Sequence, residues 1–69
     1  MKVLLRNTKS GHYYVGNNQW TADSKQARDF ERVEQAIQLN RDEQLTGMEV
    51  ILSFDDHLSD LVLPIRPAA

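Results

Sequence analysis

Few residues of this chain could do chemistry, and the densest group lies near its C-terminal end. Asp55, Asp56 and Asp60 offer carboxylate oxygens and His57 offers a ring nitrogen, a combination that could bind a divalent cation. Their spacing matches neither the regular ligand positions of an EF-hand loop nor the paired histidines of a zinc helix. Aspartate is also an ordinary turn residue, so we expect this segment to turn the chain without binding a metal.

Catalytic groups are scarce in the rest of the chain. Cysteine is absent, the two histidines His12 and His57 are far apart in sequence, and no serine lies in a Gly-x-Ser-x-Gly context. A chain of 69 residues also has little volume for a substrate pocket. We therefore expect no enzymatic activity and no cofactor.

The net charge of the N-terminal third of the chain is positive, in contrast to that of the remainder. Residues 1–22 carry a net charge of +3 and no acidic residue, whereas residues 23–69 carry a net charge of −5. If Val3 and Leu5 face the core, alternation along the two strands predicted there places four other side chains together on the opposite face. These side chains are Lys2, Arg6, His12 and Tyr14.

This mixture of cations and an aromatic ring is typical of proteins that bind single-stranded nucleic acid. The cations would contact phosphates, and the ring of Tyr14 would stack on a base. The chain is nevertheless acidic overall, with a formal net charge of −2, whereas nucleic-acid domains are usually basic. A solvated sheet face whose charges protect an edge strand explains the same residues, so we treat nucleic-acid binding as the alternative function.

The elements that must position these residues begin with strands. Residues 3–5, 12–15 and 19–21 are rich in apolar, aromatic and β-branched side chains, and turn-forming residues separate them. Residues 16–18, Gly-Asn-Asn, tolerate the positive φ angles that a tight turn requires. The N-terminal part of the chain therefore predicts a three-stranded antiparallel meander.

After Thr21 the hydrophobic period changes to that of a helix. The apolar positions that define it are Ala27, Phe30, Val33, Ile37 and Leu45. Asp23 or Ser24 could cap the start of this helix, and Gly47 could close its end in the left-handed conformation. A break near Phe30, into a short first turn and a longer second helix, is an alternative that the sequence leaves open.

The C-terminal part of the chain predicts one further strand and an apolar edge segment. Met48, Val50, Leu52 and Phe54 alternate with Glu49, Ile51 and Ser53, as in a strand whose even-numbered positions face the core. The segment 61–65 is apolar, but Pro64 cannot donate a hydrogen bond to a sheet, which favours an edge strand or a docked tail. Residues 66–69 are expected to be disordered.

These elements predict a two-layer α+β fold with a single domain over residues 1–65. One helix would cover one face of the sheet, and the other face would stay bare. We expect Trp20, Phe30 and Phe54 to contribute large rings to the core. The absence of cysteine and of a long apolar run favours a cytoplasmic location without a membrane-spanning segment.

Several framework residues follow a pattern that extends over most of the chain. The pattern consists of Gly11-x-Tyr13-Tyr14-Val15-Gly16, Trp20-Thr21, Ala27-x-x-Phe30, Ala36 and Met48 to Leu52. It resembles that of small uncharacterised bacterial and phage proteins. The resemblance implies an α+β fold, and it implies no known activity. At the position after Phe30, where that pattern predicts a serine cap, this chain has Glu31.

The first functional hypothesis is a non-enzymatic protein-interaction module that pairs with another chain, which could be a second copy in a homodimer, through the exposed sheet face or through the C-terminal edge. One helix leaves one sheet face uncovered, and the C-terminal segment is too apolar to remain in water. The residues predicted to form the self-association edge are Leu61, Val62, Leu63 and Ile65. The alternative is single-stranded nucleic-acid binding through Lys2, Arg6, His12 and Tyr14.

Overall fold

A five-stranded antiparallel sheet with one helix on one face forms the part of the chain that the computed structural model describes, residues 1–54 and 60–65. The elements are β1 (Lys2–Asn7), β2 (Tyr13–Gly16), β3 (Gln19–Thr21), α1 (Val33–Asp42), β4 (Met48–Ser53) and β5 (Leu61–Pro64). The strand order is β3-β2-β1-β4-β5, with β1 at the centre. The predicted two-layer α+β class is thereby confirmed. The tail over residues 66–69 lies outside the described residues.

The turn between β2 and β3 has the conformation that the sequence predicts. Asn17 and Asn18 adopt φ angles of 49° and 62°, both in the left-handed region. Two consecutive left-handed residues match the twist of a tight hairpin, and asparagine tolerates this conformation better than most residues. The meander of β1, β2 and β3 is therefore confirmed.

The helix begins at Val33, so the prediction that Asp23 or Ser24 caps its start is wrong. Those two residues instead form turns, in which their carbonyl oxygens accept hydrogen bonds from Gln26 and Ala27. The described structure therefore has the break near Phe30 that the sequence left open. The reason lies in Asp29, whose side chain offers the backbone an alternative to helical hydrogen bonding.

Asp29 joins the start of the sheet to the segment that leads into α1. Its Oδ1 atom accepts hydrogen bonds from the N–H of Val3, at 3.0 Å, and from the N–H of Glu31, at 2.9 Å. The N–H of Phe30 donates in turn to the carbonyl oxygen of Val3, at 2.8 Å. Glu31 adopts a φ of 68°, which reverses the chain direction before the helix. One carboxylate therefore holds together the start of β1 and the segment before α1, which are distant in sequence.

We expect the replacement Asp29→Asn to destabilise the fold at neutral pH and to have little effect in strong acid. The hydrogen bond from Val3 is the main cause that holds the pKa of Asp29 below its ordinary value of 3.8, and burial, the next largest cause, acts in the opposite sense. A carboxyl group whose pKa is lowered by folding stabilises the folded state at pH values above its ordinary pKa. This stabilisation is lost as the pH falls through the pKa of the folded state. Melting temperatures of both proteins, measured as a function of pH, should converge below pH 3.8. A difference that stays constant down to strong acid would contradict this role of the charge.

The helix ends at Asp42, earlier than the predicted end at Gly47. The N–H of Leu45 donates to the carbonyl oxygen of Asn40 at 3.0 Å, and the N–H of Gln44 donates to that of Arg41 at 3.1 Å. This pair of bonds is the Schellman arrangement, in which a left-handed residue closes a helix. Gln44 is that residue, with a φ of 54°. Gly47 is also left-handed, but it lies in the connection to β4.

The main core lies between the helix and the sheet. Its buried members are Val3, Leu5, Tyr14, Phe30, Ala36, Met48 and Val50. Phe30 belongs to it, as predicted, whereas Trp20 is exposed and Phe54 is only half-buried. The helix packs against β1 and β4, so it does not extend over β3, where Trp20 lies. The prediction that Trp20 belongs to the core is therefore wrong.

The sheet face opposite α1 is not bare at its centre, contrary to the prediction. Leu4 and Ile51 lie side by side on this face, and they are only 1% and 2% exposed. Both belong to strands that have a neighbouring strand on each side. The adjacent row carries the long, paired side chains of Arg6 and Glu49. This face therefore cannot serve as a wholly free docking surface.

Candidate interaction edge

The predicted basic face is partly neutralised by an acidic residue of the neighbouring strand. The guanidinium of Arg6 bonds to Oε2 of Glu49, with Nε at 2.7 Å and Nη2 at 2.6 Å. The same guanidinium lies 5.9 Å from the ring centroid of Tyr13. Burial lowers the pKa of Arg6, but the interactions with Glu49 and Tyr13 outweigh it and raise the pKa overall. The positive charge of Arg6 is therefore already paired with the carboxylate of Glu49, which disfavours its binding to a phosphate.

Tyr14 does not lie on the face that the sequence predicts for it. Its side chain is 1% exposed, and its ring packs edge-on against Trp20 and in a stacked orientation near Phe30. Its hydroxyl donates to the carboxylate of Glu43, at 2.9 Å from the nearer oxygen. The cause is the strand register, since Arg6 lies opposite Tyr13 and so shares a face with it. The stacking role predicted for Tyr14 is therefore wrong.

Sequence reasoning missed Tyr13 and Glu49, because the register of two strands is not visible in either strand alone. His12 lies in the exposed loop that precedes β2, where its carbonyl oxygen accepts a bond from Asn7. Lys2 is exposed at the start of β1. Single-stranded nucleic-acid binding thus stays a prediction that Lys2 and His12 would have to support without the ring of Tyr14.

Most of the candidate metal ligands, Asp55, Asp56 and His57, lie outside the described residues. Asp60 is described, and its Oδ1 atom accepts a hydrogen bond from the N–H of Phe54 at 3.2 Å. Within residues 1–54 and 60–65, no group of three or more histidine, aspartate or glutamate side chains is placed to hold a metal ion.

An open depression of about 220 Å³ lies beside the helix. Its walls are formed by Arg28, Phe30, Gln35, Gln38, Leu39 and Asp42. Arg28 lies over the ring of Phe30 at 5.0 Å, and the amide of Gln38 donates to Asp42 at 2.9 Å. Two pairs of lining residues are thus engaged with each other, and no serine, threonine, cysteine or lysine is among the lining residues.

The strand β5 is the most exposed apolar element of the described chain. Leu61, Val62 and Leu63 are 52%, 47% and 38% exposed, and Pro64 is exposed as well. Their register with β4 places Leu61 opposite Leu52, Val62 opposite Ile51 and Leu63 opposite Val50. Ile65, also predicted for this edge, is half-buried and packs against the core. The segment predicted as an edge strand or a docked tail is therefore an edge strand.

The outer side of β5 has no strand beside it in the described part of the chain. Pro64 has no N–H, and a proline is tolerated in a sheet where that missing group would point away from the neighbouring strand. Because backbone groups alternate in direction along a strand, Val62 also presents its N–H and C=O outward. Among the residues described, this free edge therefore combines backbone groups that no neighbouring strand pairs with exposed apolar side chains.

Comparisons of the chain with protein-family models, with curated proteins and with solved structures found no match. The resemblance to small bacterial and phage proteins therefore stays a prediction. Among the described residues, no helix is long and apolar enough to cross a membrane.

Proposed function

We propose that this chain is a non-enzymatic protein-interaction module that associates with itself through the free edge of β5. The observation that carries the proposal is the exposure of three consecutive apolar residues, Leu61 to Leu63, on a strand whose outer side has no neighbouring strand within residues 1–54 and 60–65. Sheets commonly bind another chain by adding a strand at such an edge. The main-chain hydrogen bonds provide affinity, and the side chains on either face provide selectivity.

The composition of β5 supports pairing with another strand. Natural sheets protect their edges with charged residues, prolines or bulges, because an open edge recruits other chains. Leu61–Pro64 contains no charged residue, and Pro64 at its end is its sole protective feature. Two copies of this edge can therefore approach each other without a contact between like charges in β5.

The size of the edge sets the expected strength of association. Complete burial of an exposed leucine or valine side chain contributes roughly 1.5–3 kcal/mol. The side chains of Leu61, Val62 and Leu63 are already about half-buried, so a dimer gains only about half of this free energy from each. Association costs at least about 4 kcal/mol in translational and rotational freedom. A strand of four residues therefore supports a weak dimer, with a dissociation constant in the micromolar range.

We expect sedimentation equilibrium to show a monomer–dimer equilibrium that the replacement Val62→Lys shifts toward the monomer by at least about tenfold, equivalent to about 1.4 kcal/mol. The reason is that each lysine would place a charge at the centre of the pairing edge. The matched control is Gln19→Lys, which adds the same charge to β3 at the opposite edge of the sheet. This control should leave the dissociation constant unchanged.

Two results would contradict the proposal. One is a wild-type chain that sediments as a monomer at high micromolar concentration. The other is an equal loss of association in Val62→Lys and Gln19→Lys, because that would assign the effect to net charge and not to β5. Circular dichroism of both variants checks that the fold is retained.

A further inference from the structure

We infer that two copies of β5 pair antiparallel about a two-fold axis that passes beside Val62, so that the two sheets become one. This inference rests on the proposed self-association and adds its partner register. A two-fold interface uses the same surface on both copies, so each contact must occur twice. A leucine precedes Val62 and a leucine follows it, so an axis beside Val62 places leucine opposite leucine in both copies of the contact.

The backbone of β5 restricts the registers that can form. Val62 presents its backbone N–H and C=O outward, and Pro64 presents its C=O outward. Asp60 presents both of its backbone groups outward as well, because it is two residues before Val62. With the axis at Val62, the N–H of each Val62 donates to the carbonyl oxygen of Val62 in the other copy. The N–H of each Asp60 then donates to the carbonyl oxygen of Pro64 in the other copy. The missing N–H of Pro64 affects only the ends of this ladder.

The exposed side chains favour the same register. With the axis at Val62, Leu61 of one copy lies opposite Leu63 of the other, and the two Val62 side chains face each other. All three exposed apolar residues of β5 then gain an apolar neighbour on their own side of the sheet. The two Asp60 residues lie at opposite ends of the ladder, so their charges are well separated.

The two neighbouring registers are less favourable for different reasons. An axis at Leu63 pairs Val62 with Pro64 of the other copy, and the carbonyl oxygen of Val62 then faces a proline that cannot donate. An axis at Leu61 leaves Leu63 opposite no residue of the partner's β5 strand, and it brings the two Asp60 carboxylates closer together. The register centred on Val62 avoids both penalties.

Disulfide cross-linking tests this register directly, because the chain contains no cysteine of its own. The variant Val62→Cys places two thiols at a directly paired position, where the Cα atoms lie about 5.5 Å apart. That separation suits a disulfide, whereas separations beyond about 7 Å do not. We expect Val62→Cys to form a covalent dimer under mild oxidation, as judged by a non-reducing gel.

The two flanking leucines provide the controls. Leu61→Cys and Leu63→Cys alone place like residues diagonally, at about 7–8 Å, and should cross-link at least about tenfold more slowly than Val62→Cys. An equimolar mixture of Leu61→Cys and Leu63→Cys should cross-link between the two variants. The register is overturned if either flanking variant alone links faster than Val62→Cys while the wild-type chain sediments as a dimer. A monomeric wild-type chain would instead remove the proposed function itself.

Amide hydrogen exchange of the unmodified chain gives a second measurement that needs no substitution. Within one copy the N–H of Val62 points away from β4, whereas the N–H groups of Leu61 and Leu63 point toward β4. The register predicts that protection of the Val62 amide rises by at least about tenfold between concentrations below and above the dissociation constant. A Val62 amide that stays unprotected in the dimer would exclude the register.

Discussion

The replacement Tyr14→Ala is expected to lower the free energy of unfolding by about 3–5 kcal/mol. Tyr14 is the largest of the fully buried side chains, and its ring packs against those of Trp20 and Phe30, with centroid distances of 5.3 Å and 6.3 Å. Removing the ring leaves a cavity that the surrounding strands and helix can only partly fill. A domain of this size rarely has more than about 3–5 kcal/mol in total, so the variant should be largely unfolded without denaturant.

The variant Tyr14→Phe distinguishes the contribution of the ring to stability from that of the hydroxyl. It keeps the packing and loses only the hydrogen bonds to the exposed residue Glu43, at a cost of about 1 kcal/mol. Urea unfolding of the two variants should therefore differ by several-fold in the lost free energy. Small and equal losses in both would contradict the buried position of Tyr14, because they would match the exposed residue that strand alternation predicts.

The pH dependence of stability gives a further check on the same side chain. Burial is the main cause that raises the pKa of Tyr14 above 10.0, and the bond to Glu43 acts in the same direction. A phenol whose pKa is raised by folding stabilises the folded state at pH values below its ordinary pKa. This stabilisation is lost as the pH rises above 10.0 and through the pKa of the folded state. The Tyr14→Phe variant should lack this alkaline loss.

The replacement Leu4→Ala is expected to lower the free energy of unfolding by about 2–5 kcal/mol, the range for a buried leucine. Leu4 shares its sheet face with Lys2 and Arg6, opposite the helix, and yet it is almost fully buried beside Ile51. If this face were bare, the side chain would be exposed and the same replacement would change stability by about 0.5 kcal/mol or less.

A suitable control for Leu4→Ala is Val62→Ala, which removes an aliphatic side chain from the same face. Val62 is 47% exposed, so the loss of its side chain should lower the free energy of unfolding by less than about 1 kcal/mol at a chain concentration below the dissociation constant of the dimer. Denaturant unfolding of both variants at the same low concentration measures the two costs. Equal effects would show that the centre and the edge of this face do not differ in burial.

Features that depend on neighbouring residues were predictable from the sequence. The asparagine pair at residues 17–18 predicts a tight turn, because few residues accept two consecutive left-handed conformations. The alternation over Met48–Ser53 predicts β4, and Pro64 predicts that the last apolar segment lies at an edge. Each of these signals acts within a few residues of the chain, where steric constraints and hydrogen-bonding capacity are already fixed.

Features that depend on distant residues were not predictable in the same way. The helix starts at Val33 because the carboxylate of Asp29 bonds to Val3, and no local pattern near Asp29 reveals a partner at the other end of the sequence. Gln44, a residue without the conformational freedom of glycine, closes the helix, and Leu45 packs against the core beside it. Packing in the folded state stabilises a left-handed residue that local preference would not select.

The candidate site divides in the same way. The sequence by itself determined that residues 61–63 form an apolar, uncharged segment next to a proline, because residue type and spacing are sufficient for that conclusion. Only the tertiary structure decided that Tyr13 and not Tyr14 joins Arg6, and that Leu4 is buried on the face opposite the helix. The physical reason is that a strand has two equivalent faces until pairing fixes its register, and a shift of one residue exchanges them.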